Sequence, residues 1–217
     1  MKSIKKNFLI MFILVSVIFG TFVGFSFSKS KLNEIIKERE NEIIELKRKN
    51  DKIDFILKSV FIIKKHSKYL TDQEIYNISN TAWEEAFKYR LNPNILLASG
   101  FVESGFNNHY TGLKGEKTYL QFMPTTYNEI SGEELTDDKV KDVVEITKQY
   151  FKLMALYTFT FYDNEKVFIA YNCGHKIFNY FDDIEKIKMF VYDNKNLSYY
   201  PERIKNKYIE YINYTFR

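Results

Sequence analysis

Asn92-Pro93-Asn94-Ile95-Leu96-Leu97-Ala98-Ser99-Gly100-Phe101-Val102-Glu103-Ser104-Gly105 is the stretch that decides the fold. Asn92 reads as an N-cap whose side-chain oxygen accepts a backbone N–H, and Pro93 as the first helical residue, where its missing N–H costs nothing. The pattern predicts a helix from Asn94 to about Ser104. It is apolar almost throughout until Glu103. A carboxyl that closes an apolar helix, just before a glycine-bearing loop, sits either at a cleft mouth or on the surface beside a helix end. In a cleft, desolvation disfavours the charged form and raises the pKa. A neutral carboxylic acid near pH 7 is what a general acid must be.

Working outward, Thr71-x-x-Glu74 is a capping-box pattern that opens a helix to about Tyr89, which Arg90-Leu91-Asn92 breaks. Gly105 through Lys117 reads as a loop, and Pro124 opens a short helix to Ile130. Val140, Val143, Val144, Tyr150, Phe151 and Met154 recur along one long expected helix, Asp137 to Tyr157. Asp163 or Asn164 caps a further helix that ends at Gly174, and Pro201 opens the last. No alternating strand pattern persists. With 8 glycines and 3 prolines in 217 residues, a turn-rich all-β fold is disfavoured. The expected architecture is mainly α, with residues 67–217 forming a domain large enough for its own core.

Composition narrows the chemistry. A single cysteine, Cys173, excludes an internal disulfide, and with three scattered histidines (His66, His109, His175) it leaves no zinc cluster. Residues 1–70 carry 15 Lys/Arg against 7 Asp/Glu, whereas residues 71–217 carry 17 against 21. The part long enough to be a domain is therefore mildly acidic, and no nucleic-acid footprint is expected on it.

The basic first third divides further. Lys2, Lys5 and Lys6 precede an uncharged stretch of 21 residues, 8–28. As a helix this spans about 31 Å, close to the thickness of a bilayer core. It is longer than the usual core of a secretory signal, so a retained transmembrane helix is expected. A cleaved signal peptide is the alternative, with Ser26-Phe27-Ser28 as a weak cleavage site. Beyond it, Leu32, Ile36, Arg39, Ile43, Leu46, Asn50, Ile53, Leu57 and Val60 follow alternating spacings of four and three. This is an a/d heptad seam with Asn50 at an a position. In a parallel pair, Glu42 would face Lys47 and Lys49 would face Asp54. The seam reads as a coiled-coil stalk and homodimer through residues 32–60, or as one amphipathic helix packed on the domain. The expected organisation is 1–7 cytoplasmic N-terminus, 8–28 transmembrane helix or signal peptide, 29–66 helical or coiled-coil stalk and 67–217 domain.

Three ordered motifs then carry a resemblance. Glu103-Ser104-Gly105-Phe106-Asn107 resembles the glutamate-serine motif of the lytic transglycosylase SLT domain, the goose-type-lysozyme-like family. Tyr119-Leu120-Gln121-Phe122-Met123-Pro124-Thr125-Thr126 is similar to its Gly-Leu-Met-Gln-x-Met-Pro-x-Thr motif, at matching spacing. Ala170-Tyr171-Asn172-Cys173-Gly174 resembles its Ala-Tyr-Asn-x-Gly motif. There are departures. Thr118 stands where the family usually has glycine, Gly112 where a loop serine is common, and Thr147 at a further glycine position. A β-branched threonine fits poorly where the backbone needs positive φ.

The resemblance implies a lysozyme-like helical domain that cleaves the β-1,4 bond between N-acetylmuramic acid and N-acetylglucosamine in peptidoglycan. It implies one catalytic glutamate, Glu103, as acid and then base, a 1,6-anhydromuramyl product, and no metal or cofactor. Gln121 would bind glycan, Tyr171 would hydrogen-bond near Glu103 or the sugar acetamide or else serve as a core aromatic, and Asn172 would support the site or else hydrogen-bond at the helix end. Ser104, counted with the substrate-binding residues, would orient the Glu103 loop or cap the helix end. Phe106, Tyr119 and Tyr127 would pack on sugar rings or in the core. Cys173 reads as a small buried hydrophobe. A hydrolytic lysozyme on the same scaffold would need a second carboxylate, for which Glu116 and Glu129 are candidates. A wall-binding or scaffolding protein without turnover is the third reading. Peptidoglycan as substrate implies a bacterial protein at the cytoplasmic membrane, single-pass, with its domain outside, or a secreted one if the signal is cleaved.

Overall fold

The computed structural model of the chain describes residues 2–161, 167, 171 and 200–213, with side chains described for 16, 29–160, 167, 171 and 203–213. Seven helices lie among the described residues: α1 Lys2–His66, α2 Asp72–Tyr89, α3 Asn94–Ser104, α4 Pro124–Ser131, α5 Asp137–Lys141, α6 Val143–Phe161 and α7 Tyr200–Ile212. The chain divides into two units, Met1–Asp51 and Lys52–Arg217. The second begins inside α1, ahead of the boundary expected at residue 67.

Local chemistry accounts for the helix ends. At α2 the capping box is complete: the Thr71 side chain accepts the Glu74 N–H, and the Glu74 carboxylate accepts the Thr71 N–H at 2.7 Å. Arg90 ends that helix in the left-handed region, φ 57°. At α3 the Asn92 Oδ1 accepts the Asn94 N–H at 3.0 Å, so Asn92 caps the helix as expected although Pro93 occupies the formal cap position.

One expected helix is two. The run from Asp137 to Tyr157 breaks at Asp142, whose ψ of 87° leaves the helical region. Its Oδ1 accepts the N–H groups of Val144 and Glu145 at 3.1 and 3.0 Å, making it the N-cap of α6. Helix α6 then runs on to Phe161.

In the second unit, α2 packs on α6, α7 on α3, and α4 and α5 on α6. The core they enclose includes Ile78, Leu96, Leu97, Ile146, Phe151 and Met154. The end of α1 joins it through Phe55, Ile62 and Ile63, with the Phe55 and Trp83 rings 5.8 Å apart. Burying each such side chain contributes about 1.5–3 kcal/mol.

The heptad seam is a different face as far as Leu57, and its last position, Val60, is half-buried against the core. In the first unit Leu32, Ile36, Ile43 and Leu46 are exposed, and in the second so are Ile53 and Leu57. Among the described residues no helix is long and apolar enough to cross a membrane. Stretch 8–28, expected as an anchor or signal peptide, has only Ser16 among the described side chains. Of the helix expected from Asp163 or Asn164 to Gly174, only Val167 and Tyr171 are described. Asn172, Cys173 and His175 lie outside.

Candidate active site

Helix α3 ends in a turn built by two glycines. Gly105 takes φ 63°, and the N–H groups of Gly105 and Phe106 bond back to Phe101 and Gly100 carbonyls at 3.0 Å each. The second bond spans six residues, so the chain makes a wide turn back over the last carbonyls of the helix, with Gly105 in the left-handed region that commonly closes a helix. It folds Phe106 under the helix end, where a Cβ at Gly100 would lie 2.4 Å from the Phe106 ring. The Ser104 hydroxyl then ties the helix end to the next motif, donating to the Tyr119 carbonyl at 2.7 Å and accepting the Asn107 N–H at 3.0 Å. Its role here is to join Glu103's helix to the segment that carries Gln121.

That segment is a tight turn. Lys117 and Phe122 form a lone antiparallel bridge, Lys117 N–H to Phe122 carbonyl at 2.9 Å, and the Gln121 N–H closes onto the Thr118 carbonyl at 3.1 Å. Two of its residues sit in the left-handed region, Thr118 at φ 75° and Gln121 at φ 52°. Glycine alone adopts that region without a Cβ penalty. The turn therefore does require positive φ where the related motif has glycine, and Thr118 is a strained occupant. Its Oγ1 offsets part of the strain by accepting the Leu120 N–H at 3.3 Å.

Gln121 is held by its own amide. The Nε2 donates to the Thr118 carbonyl at 2.7 Å and the Tyr110 carbonyl at 3.1 Å, so both its hydrogens serve the loop. Its Oε1 turns toward Gly112. Glu116 turns to the same place: its Oε2 accepts the Lys114 N–H at 2.8 Å. A Cβ at Gly112 would lie 2.3 Å from Glu116 Oε2 and 2.8 Å from Gln121 Oε1. The missing side chain at Gly112 is what makes room for both.

These pieces line one open cavity of about 450 Å³, with Glu103, Gln121 and Tyr171 on it together. Glu103 is half-buried. The Tyr171 hydroxyl donates to the Leu120 carbonyl at 2.8 Å, and its ring meets Tyr150 edge-on at 5.5 Å. Burial, with a smaller contribution from Glu103, pushes the Tyr171 and Tyr150 phenols up, so both remain neutral hydroxyls.

Phe106 and Tyr119 are placed elsewhere. Both are fully buried and stacked on one another at 6.2 Å, behind the cavity wall. Tyr127 is also buried in the core. Of the two candidate second carboxylates, Glu116 lines the cavity, whereas Glu129 is exposed on α4 and is not among the described lining residues. Leu113, fully exposed at the cavity rim, was not singled out from the sequence. Its signal is an apolar residue stranded in a polar loop between Gly112 and Gly115.

Residues 80–186 match the model of a protein family described as Transglycosylase SLT domain. The matched segment contains Glu103, Gln121 and Tyr171. No curated protein matches the chain.

Proposed function

We propose, with the transglycosylase SLT match over residues 80–186 as premise, that the protein is a membrane-anchored lytic transglycosylase of peptidoglycan. The observation that carries the reading is the convergence of Glu103, Gln121 and Tyr171 on one cavity. Glu103 begins as the neutral acid and protonates the glycosidic oxygen as the bond to muramyl C1 breaks. The muramyl acetamide stabilises the cationic centre. The C6 hydroxyl attacks C1, and its proton passes to the Glu103 carboxylate, which restores the acid. No water is consumed, and the products are a 1,6-anhydromuramyl end and a free 4-hydroxyl. One carboxyl serves both steps because its charge alternates. Gln121 Oε1 accepts from a sugar N–H or O–H. Asn172 has the supporting role the motif assigns it.

One observation favours a second reading. Glu116 shares the cavity with Glu103. Two carboxylates flanking the bond are the usual hydrolytic arrangement, the second activating a water.

Helix α1 supplies the tether. Residues 8–28 anchor it in the bacterial cytoplasmic membrane with the domain outside. The exposed seam of Leu32, Ile36, Ile43 and Leu46 takes a second copy of the chain, with Glu42 facing Lys47 and Lys49 facing Asp54. Within one chain Glu42 pairs with Arg39 and Lys49 with Glu45, both pairs exposed and each worth under about 1 kcal/mol, so they re-form at little cost. Light scattering on the full chain and an Ile43→Lys, Leu46→Lys variant decides the pairing; equal masses for the two would sink it.

The test of the chemistry is mass spectrometry of muropeptides released from purified peptidoglycan by the full chain, with Glu103→Gln as control. Anhydromuramyl ends that vanish with the variant are expected. Ordinary reducing ends would transfer the reaction to the hydrolytic reading. No product from the folded wild-type chain would leave a wall-binding protein.

A further inference from the structure

The turn that ends α3 is held by a residue from outside the segment that matches the family. Phe106 follows Gly105 in the left-handed region, at φ 60°. A residue with a Cβ persists there only where its surroundings over-determine it. Two serine hydroxyls do so, one at each end of the peptide unit that joins Phe106 to Asn107. Ser67 Oγ donates to the Phe106 carbonyl at 3.0 Å, and Ser104 Oγ accepts the Asn107 N–H at 3.0 Å. Ser104 passes its own hydrogen to the Tyr119 carbonyl. A continuous row of hydrogen bonds therefore runs from the residue after α1, past the neighbour of Glu103, to the segment that carries Gln121. Each bond in such a row polarises the next. Ser67 is itself buried and fixed: its N–H bonds to the Ile63 carbonyl at 2.7 Å, and its Oγ accepts the N–H groups of Tyr69 and Leu70 at 3.2 and 3.3 Å. The one donor and both acceptor sites of the hydroxyl are thus in use. With His66 edge-on to Phe101, two consecutive residues hold the chain on either side of Glu103. Both precede the matched segment, 80–186.

We infer that Ser67 is a positioning residue for Glu103, acting through the Phe106–Asn107 peptide, an inference that rests on the lytic reading of the cavity. Without the Ser67 hydroxyl the Phe106 carbonyl has lost its donor, and the strained peptide unit rotates to find another. That rotation takes the Asn107 N–H away from Ser104, and the helix end that carries Glu103 is no longer fixed. The Gln121 amide keeps its own bonds to the Thr118 and Tyr110 carbonyls. Glycan binding therefore stays while proton transfer at the glycosidic oxygen slows, because a general acid acts only from within hydrogen-bond reach.

The experiment compares the full chain with Ser67→Ala, Ser67→Cys and Ser67→Thr on soluble peptidoglycan strands, at a temperature where circular dichroism shows the variants folded. Alanine deletes the donor, cysteine keeps the shape with a weak donor, and threonine keeps the hydroxyl. Ser67→Ala is expected to lower kcat about tenfold or more with KM unchanged, the scale of a misplaced catalytic group. Ser67→Cys is expected to fall between it and the wild type, and Ser67→Thr to restore kcat. Should Ser67→Ala fail to fold, the order of cysteine below threonine carries the test. Amide hydrogen exchange gives a readout besides activity: the Asn107 N–H is expected to exchange about tenfold faster in Ser67→Ala, or in Ser67→Cys if alanine does not fold, and not in Ser67→Thr. Unchanged kcat without the hydroxyl overturns the inference. So does a rise in KM alone, or a threonine variant no better than the cysteine and alanine ones. If the wild type cuts no strands, the lytic reading falls, and unchanged Asn107 exchange would then separately remove Ser67 from the turn.

Discussion

Tyr119 Oη lies 2.6 Å from Thr147 Oγ1, and both side chains are fully buried, one on the turn behind the cavity and the other on α6. The direction of this bond is determined. Thr147 Oγ1 already donates its hydrogen to the Val143 carbonyl at 2.6 Å, so the phenol must be the donor. The threonine at an expected glycine position thus has a reason to be there, since it receives the Tyr119 proton in a place water does not reach. Thr147→Val is expected to strand that hydroxyl and to cost about 1–3 kcal/mol. Tyr119→Phe removes the donor and is expected to cost about 1 kcal/mol. The double variant is expected to cost less than the sum, because nothing is left unpaired. Urea unfolding of the four proteins measures the coupling; strict additivity would mean that the bond contributes nothing.

A similar comparison isolates the strain at Thr118, whose φ of 75° a Cβ opposes by about 1–2 kcal/mol. Thr118→Ala and Thr118→Gly both delete the hydroxyl and the methyl. Only the second also removes the Cβ. The glycine variant is expected to be the more stable by about 1 kcal/mol, the reverse of the order in a helix, where alanine leads by a similar margin. Thermal unfolding of the pair is sufficient. If alanine is the more stable, the turn does not hold position 118 in the left-handed region.

Residue chemistry determined how much of this was legible beforehand. Thr71 and Glu74 announce α2 because both halves of a capping box are written in the sequence, and Asn92 announces α3 in the same way. Asp142 did not announce the break before α6. The apolar period runs through it, and a polar residue at that place also fits the outer face of an unbroken helix. Asp142-x-x-Glu145 was the available signal, since it has the spacing of a capping box. That Glu103, Gln121 and Tyr171 line one cavity was legible in so far as each sits in a motif of fixed spacing. Phe106 and Tyr119 were not separable into sugar-facing or core, since a buried ring and a ring under a sugar obey the same apolar preference. Glu116 and Leu113 lie on a loop, where no periodicity reports direction.

His66 is expected to give the domain a pH dependence. Its ring meets Phe101 edge-on at 4.5 Å, and Lys207 stands over the same Phe101 at 4.5 Å. Burial, then the charges of Lys207 and Lys65, lower its pKa from the ordinary 6.5, with Glu210 opposing. A histidine with a lowered folded pKa binds fewer protons folded than unfolded. Its contribution is whole above about pH 6.5 and is lost as pH falls from there toward the folded value. Urea midpoints at about pH 7.5 and 5.5 are expected to differ more for the wild type than for His66→Gln, which carries no titrating group at that position. Equal pH dependence in the two proteins would assign the effect to other groups.

Gly112 and Glu116 supply the most direct test of the cavity wall. A methyl at position 112 would meet Glu116 Oε2 at 2.3 Å and Gln121 Oε1 at 2.8 Å, so the Glu116 carboxylate must swing away and the Lys114 N–H loses its acceptor. The obstructing atoms are the ends of flexible side chains, so the domain is expected to stay folded while the wall shifts. Gly112→Ala is expected to raise KM for glycan and lower kcat/KM by about tenfold, equivalent to about 1.4 kcal/mol. Glu116→Ala removes the first obstruction. If the carboxylate is what the methyl displaces, adding Gly112→Ala to Glu116→Ala lowers kcat/KM little further, and the two changes are far from additive. If the full tenfold loss returns in the Glu116→Ala background, the methyl acts through Gln121 Oε1 instead. In that case the wall residue that matters for glycan is Gln121, and Glu116 only braces the loop.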